Sequence, residues 1–438
     1  MPDALPSDTF ETTEDRFERY IDSFINVLGH ADRMEPFHAY CSGLVLPGDR
    51  KSVEPMAALL APATVSAKRQ SMHHFVAKAP WSEIGMLRQA RKYGMRLFEG
   101  RPYCFILDDT GMPKKGAQSV GVAKQWCGVL GKQENCQVAV TLSLGNEQAS
   151  LPIAFRLYLP EQEWANDRAR RARAGVPEEF AFETKAEIAQ LQIAAALAEG
   201  LRPEVVLGDA GYGNSTELRD KLTAWELPYA MGVQGTTTVW APGTAPVVPP
   251  YKGRGRHPKC LQRGEHAPVK IKDLAMSLPP EAYREVGWRE GTKGPMTGRY
   301  AIMRVRPAHR DERRHEPRPE EWLLVEWPAG EKEPTHYHLS TLPADATPEQ
   351  LVGAVRKRWR IERDYQELKD ELGLDHYEGR SWRGFHHHAA LTIATYAFLM
   401  VERGCFPPGA RGGRPRVHVP ERPAGFKARG TSATSRTA

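Results

Sequence analysis

Two aspartates close short apolar runs in this sequence: Asp108 follows Cys104-Phe-Ile-Leu107, and Asp209 follows Val205-Val-Leu-Gly208. Such runs bounded by turn residues read as buried strands, so each acid stands where a strand leaves a sheet. A third acid, Glu362, lies in Val355-Arg-Lys-Arg-Trp-Arg-Ile-Glu-Arg-Asp-Tyr-Gln-Glu-Leu-Lys369. At helical spacing Arg358, Glu362, Tyr365 and Lys369 fall on one stripe that combines an acid with two cations. Three carboxylates are a natural minimum for hard divalent ions such as Mg²⁺. Two such ions about 3.5–4 Å apart supply both the nucleophile and the leaving-group stabilisation of phosphodiester chemistry. On this reading Asp108 bridges both ions, Asp209 and Glu362 each complete one ligand set, and Arg358 and Lys369 clamp adjoining phosphates.

Plainer readings compete. Asp108-Asp-Thr-Gly111 also reads as a solvated turn, and so does the Gly-rich stretch around Asp209. An ion-paired surface helix gives the same stripe of charges. Two strand-end acids in one predicted sheet, together with the helix, make the joint reading consistent. Asp109 stays open as an alternative to Asp108, and Glu367 and Glu371 are competitors for Glu362. His386-His-His388 also invites a metal, but it precedes the apolar segment Ala389 to Met400 and is read as structural. Trp240, Trp288, Trp322 and Trp327 are read as core, with base stacking at a cleaved end the alternative for one of them.

The elements that must position these residues follow from periodicity. Phe17, Tyr20, Ile21, Phe24, Ile25 and Leu28 recur at three- and four-residue spacing, predicting helices over residues 10 to 95. Within them, Ala67 to Phe75 is open to either DNA contact or a plain bundle surface. Three strands are predicted at 104–107, 136–144 and 151–159, then a helix from Thr184 to Glu199 and a strand at 205–207. Three strands, a helix and a fourth strand is the order of the ribonuclease H core. A capped helix from Leu218 to Trp225 and a fifth strand, Tyr229 to Val233, complete it. Next comes a Pro- and Gly-rich stretch with β-type runs at 300–305, 322–326 and 336–339. The helical pattern returns at Thr347-Pro-Glu-Gln350 and runs through Lys369, with a further helix from His387 to Glu402.

The expected class is therefore α/β: a ribonuclease H-like core with a β-rich insertion and a small helical N-terminal domain. The expected boundaries are 1–97 for the helical domain, 98–235 for the first part of the core, 236–343 for the insertion, 344–402 for the C-terminal core helices and 403–438 for a basic disordered tail. From Arg403 to Ala438 eight Lys or Arg face one acid, which suits sequence-independent phosphate affinity or a solvated terminus. The cluster Tyr251 to Lys259 carries the same two readings.

The 438 residues suffice for two or three cores, and the net charge of +6 suits a polyanionic partner without demanding one. With 41% hydrophobic residues, the chain has no apolar run of about 18 residues that would span a bilayer. Its acidic opening excludes a secretory signal, so a cytoplasmic protein is expected. Six scattered cysteines show no zinc-knuckle spacing and are read as reduced thiols.

The third acidic segment resembles the DDE transposases of bacterial insertion sequences, whose corresponding motif is Tyr, two residues, Arg, three residues, Glu, six residues, Lys. Arg358, Glu362 and Lys369 fit that spacing; Val355 stands where the family has Tyr, and Tyr365 is the stand-in considered. Leu107-Asp-Asp-Thr-Gly-Met-Pro-Lys-Lys-Gly116, Gly131-Lys-Gln-Glu-Asn-Cys-Gln137 and Gly379-Arg-Ser-Trp-Arg-Gly-Phe-His386 are similar to the insertion sequence 701 group. The family's first motif, Asp, any residue, Thr or Ser, favours Asp108 over Asp109. The resemblance implies catalytic, metal-binding Asp108, Asp209 and Glu362 holding two Mg²⁺, with Mn²⁺ as a substitute. Arg358, Tyr365 and Lys369 are its implied DNA contacts. Its partners are double-stranded DNA, terminal inverted repeats and target DNA, and it acts as a homodimer in the synaptic complex with no membrane. The implied location is the bacterial cytoplasm, on the nucleoid when DNA-bound. The alternative is an inactive or truncated transposase-derived DNA-binding protein.

Overall fold

A computed structural model describes residues 12–406, apart from 256, 263–265, 292 and 293. All but the first four residues of the expected basic tail, and one residue of the Tyr251 to Lys259 cluster, therefore lie outside the described residues. Helices come first: α1 (Thr13–Asp22), α2 (Ile25–Leu28), α3 (Met34–Val45), α4 (Val53–Leu60), α5 (Val65–Ala77) and α6 (Glu83–Gly94). Strands β1 (Cys104–Pro113), β2 (Ala123–Cys127), β3 (Lys132–Gly145) and β4 (Ser150–Leu157) follow. Next are α7 (Arg168–Ala174), α8 (Lys185–Ala198), β5 (Val206–Gly208), the short α9 (Ala210–Gly213), α10 (Thr216–Ala224) and β6 (Tyr229–Val233). The β-rich stretch holds β7 (Thr238–Trp240), β8 (Val269–Lys270), α11 (Ile271–Ser277), β9 (Arg284–Gly291), β10 (Gly294–Pro307), β11 (Glu321–Glu326) and β12 (His336–Ser340). Helices α12 (Pro348–Lys357), α13 (Arg360–Asp370) and α14 (Trp382–Cys405) close the described chain.

The core sheet runs β4-β3-β1-β5-β6. The first two pairings are antiparallel and the last two parallel, which is the ribonuclease H-like arrangement. Residues Cys104 to Leu107 of β1 are buried, as a strand flanked on both sides and covered on both faces must be. Beyond β6 the sheet continues without a break: β12 pairs antiparallel with β6, then β11 and β10 follow. The β-rich stretch is thus hydrogen-bonded to the core, and it has its own apolar cluster of Val239, Ile271, Ala301, Leu323 and Leu339.

Apolar packing also joins the N-terminal helices to the core. Tyr20, Phe24, Phe37 and Phe398 belong to the same buried cluster as Phe105 and Val206. Each such ring stabilises the fold by about 2–3 kcal/mol relative to exposure. The Tyr20 hydroxyl donates to the Ala394 carbonyl at 2.7 Å, tying α1 to α14. Helix starts are where the sequence predicts them: Thr184 with Glu187 and Thr347 with Gln350 form reciprocal capping boxes. Two features depart from expectation. The strand β2 was not anticipated, and the helix expected from Thr347 through Lys369 is two helices, broken at Arg358 and Trp359. At the break, Ile361 and Glu362 donate to carbonyls three residues back, a tighter turn than the α-helix makes.

Candidate metal centre

Asp108 sits in the middle of β1, opposite Thr141 of β3. Its backbone carbonyl accepts from the hydroxyls of Thr141 at 3.0 Å and Tyr212 at 3.1 Å, which fixes the strand at this point. Asp209 directly follows β5 and caps α9, accepting from the Gly211 N–H at 2.8 Å. The cap requires α9 to lie almost on β6: a Cβ at Gly213 would come within 1.9 Å of the Gly232 carbonyl oxygen. Only glycine permits that approach. Because β1 and β5 are parallel neighbours, the two acids meet at one edge of the sheet.

The carboxylates of Asp108, Asp109 and Asp209 come together, with one oxygen of each lying within 4.8 Å of the others. Burial pushes the Asp108 carboxyl up to about 7; the Arg358 guanidinium opposes this rise, and the Asp109 and Asp209 charges add to it. Three acidic oxygen donors at this separation suit a hard divalent cation, and a cation relieves the repulsion that holds Asp108 away from ionisation. Asp109 has a partner of its own in the Lys185 ammonium, at the start of α8.

Glu362 stands in the first turn of α13 with its carboxylate about half exposed. It is not among the acids whose oxygens come within 4.8 Å of one another; Arg358 links it to Asp108, its guanidinium lying 3.3 Å from Asp108 Oδ2 and 3.3 Å from Glu362 Oε1. The Lys369 ammonium donates to the Gly111 carbonyl of β1 at 3.0 Å, and burial holds its pKa below the ordinary lysine value. The stripe predicted from sequence therefore meets β1 at both of its ends, at Asp108 through Arg358 and at the Gly111 carbonyl through Lys369. Tyr365 corrects the reading in between: its ring is 6% exposed and its hydroxyl sits against Thr141 and Ser143, under the site and not on its surface. Val355 is likewise buried. Glu367 turns away, to Arg403 of α14.

Lys185, Tyr212 and Trp359 were missed. The Thr184 cap foretold where α8 begins, so an ammonium in its first turn was discoverable. Trp359 lies 55% exposed beside Arg358, at the break between α12 and α13. The α12–α13 pair is itself anchored on the β-rich stretch, where Arg356 meets Glu326, the Tyr300 hydroxyl and the face of Trp288. Of the four tryptophans read as core only Trp240 is buried; Trp288, Trp322 and Trp327 are half-buried, Trp322 under Arg304 and Trp327 against Tyr283. Among the described residues no helix is long and apolar enough to cross a membrane.

Comparison with known proteins agrees with this layout. Residues 23–295, more than half of the chain, match the DDE superfamily endonuclease family. A stretch of 148 residues is 34% identical to a probable transposase for insertion sequence element IS701 from Microchaete diplosiphon, covering 34% of this chain and 36% of that relative.

Proposed function

The chain belongs to the DDE superfamily of endonucleases, and from that premise we propose that it is an insertion-sequence transposase that binds element ends and catalyses phosphodiester hydrolysis and strand transfer. What carries the reading is the meeting of Asp108 and Asp209 at one sheet edge, with Arg358 joining Asp108 to Glu362. In this proposal Asp108, Asp209 and Glu362 hold two Mg²⁺, for which Mn²⁺ substitutes. Glu362 is taken as the third ligand for its spacing from Arg358 and Lys369, with Asp109, which lies in the carboxylate cluster, as the alternative. When bound, divalent ions supply the activated water and the stabilised leaving oxygen.

The protein's own part is positioning. Thr141 and Tyr212 hold the β1 backbone at Asp108, and the α9 cap holds Asp209. Arg358 and Lys369 stand beside the carboxylates as phosphate partners, with Tyr365 supporting the floor beneath them and not itself a DNA contact. The expected partners are double-stranded DNA with terminal inverted repeats and a target site, engaged by two copies of the chain in the joined complex. The relative's printed description, a probable transposase, supports this choice within the superfamily.

The test uses duplexes copied from the chromosomal DNA that borders the gene. Wild-type protein cuts them with Mg²⁺, whereas Glu362→Gln binds them without metal but does not cut, because the change keeps size and removes the charge that holds a divalent ion. Lys369→Ala weakens binding and lowers its salt slope by about one. Cutting by Glu362→Gln at the wild-type rate would move the third ligand to Asp109. Binding without cutting by the wild type would leave a DNA-binding protein and overturn the catalytic reading.

A further inference from the structure

A second polar site lies on the same sheet edge as Asp209. A cavity of about 250 Å³ opens between α10, the loop after β6 and the end of β10. Thr216, Arg219, Gln234, Thr236, Thr237 and His309 line it, so hydroxyl, amide, guanidinium and imidazole groups converge on one space. Asn214, the residue that ends α9, joins the two walls: its side-chain oxygen accepts from the Gln234 N–H at 2.9 Å and from the Thr237 hydroxyl at 3.4 Å.

Two polar groups of this site lack the partners that burial ordinarily demands. Arg219 is 3% exposed; it donates to the Thr216 hydroxyl at 3.2 Å and lies 3.7 Å from a Glu321 carboxylate oxygen, but its Nε has no hydrogen-bond partner among the described residues. His309 Nε2 is buried and equally without one. The next residue, Arg310, holds a left-handed backbone at φ +53°, a conformation that costs a non-glycine residue energy and persists where the surroundings enforce it. Its guanidinium is exposed and, among the described residues, reaches the exposed Glu217 carboxylate at 3.3 Å, a pairing that contributes little and is easily exchanged.

We propose that this cavity is a phosphodiester subsite, which grips the DNA strand next to the phosphate held at the metal centre. Hydroxyls, an imidazole N–H and a guanidinium are donors, and a phosphate oxygen is an acceptor only; Glu217 and Glu321 are the acids that compete for the same cations. Distance agrees with the assignment. Asp209 and Asn214 bracket α9, whose four residues rise about 6 Å, comparable to the axial rise of two nucleotides at about 3.4 Å each. A strand whose scissile phosphate lies at Asp108 and Asp209 therefore passes the cavity within a few nucleotides.

This inference rests on the transposase reading, and its test separates the two. The full chain is titrated with a fluorescein-labelled duplex from the DNA bordering the gene, in Ca²⁺ to prevent cutting. Single phosphates of the duplex are replaced in turn by neutral methylphosphonates. In wild-type protein one neutralised phosphate near the cut site weakens binding on the order of tenfold, the loss expected for hydrogen bonds to a charged group. In His309→Ala, and in the double variant Thr236→Val with Thr237→Val, the unmodified duplex binds that much more weakly and the same phosphate becomes silent. Mn²⁺ affinity at the metal centre stays unchanged. Wild-type cutting accompanied by variants that bind as wild type and keep the full methylphosphonate profile overturns the subsite alone. A wild-type protein that neither binds nor cuts these duplexes overturns the functional reading and the subsite with it.

Discussion

Two groups of side chains in this protein have the chemistry of metal ligands, and they are built in opposite ways. Asp108, Asp109 and Asp209 crowd like charges together, where burial and mutual repulsion push Asp108 up to about 7 and Arg358, Lys185 and Lys369 partly offset them. His386, His387 and His388 lie on α14 in the interior, with each ring already bracketed by partners. The Gly373 carbonyl can only accept, so His388 Nε2 carries the proton, and the Tyr40 hydroxyl donates to Nδ1. Likewise His386 Nδ1 donates to the Trp382 carbonyl and Nε2 accepts from the Leu157 N–H, while His387 stacks on Trp81 with the Val76 and Trp81 carbonyls at its two nitrogens, to one of which a neutral ring can donate. Burial depresses all three imidazoles, which therefore stay neutral at neutral pH. The histidines spend their ring nitrogens on contacts within the fold, whereas the aspartates leave an electrostatic need that a cation meets.

The contrast predicts effects of opposite sign. The largest is expected at His388→Ala, which strands the Tyr40 hydroxyl and the Gly373 carbonyl in the interior and opens a cavity. It should lower unfolding stability by about 3 kcal/mol or more in a urea titration, without changing Mn²⁺ affinity. A variant as stable as wild type would erase the distinction drawn between the two clusters.

A smaller effect in the other direction is expected at Asp108→Asn in metal-free protein. The folded-state value near 7 lies above the ordinary 3.8, so the native state resists ionisation that the unfolded chain accepts. Wild-type stability accordingly falls as pH rises through that interval and levels off above it. The thermal midpoint of the variant should pull ahead of wild type between pH 4 and 7 and keep its lead at pH 8. Wild type melting later than the variant at pH 8 in EDTA would mean that the acids are already balanced. By the same linkage, Mn²⁺ affinity of wild type should weaken below pH 7, where metal and proton compete for Asp108.

The smallest effect concerns Arg358, which lies against two of the carboxylates assigned to the metals. Arg358→Ala should raise Mn²⁺ affinity of the DNA-free protein a few-fold, read by paramagnetic resonance, while lowering affinity for duplex DNA. Loss of both affinities together would make Arg358 an organiser of the carboxylates instead of a cation competing for them.

Local chemistry decided much of this protein. Apolar runs of a strand's length gave β1, β3, β4 and β6, Thr184 and Thr347 marked two helix starts, and Asp108 and Asp209 stood out because each closes an apolar run, although β1 continues past Asp108 to Pro113 and only Asp209 stands at the end of its strand. Spacing along the third segment likewise put Glu362 and Lys369 in one helix, with Arg358 at the break just before it. Tertiary structure decided the rest, because it depends on what lies across a gap in space. Burial of Tyr365 follows from α13 packing on β1 and β3, a contact that spacing cannot show. The partnership of Lys185 with Asp109, the break at Arg358 and Trp359, and the continuation of the core sheet from β6 into β12 all join residues remote in sequence or set by neighbouring elements. The cavity beside Asn214 is of the same kind: its walls come from α10, a loop and the end of β10, and only folding brings Arg219 and His309 to one space.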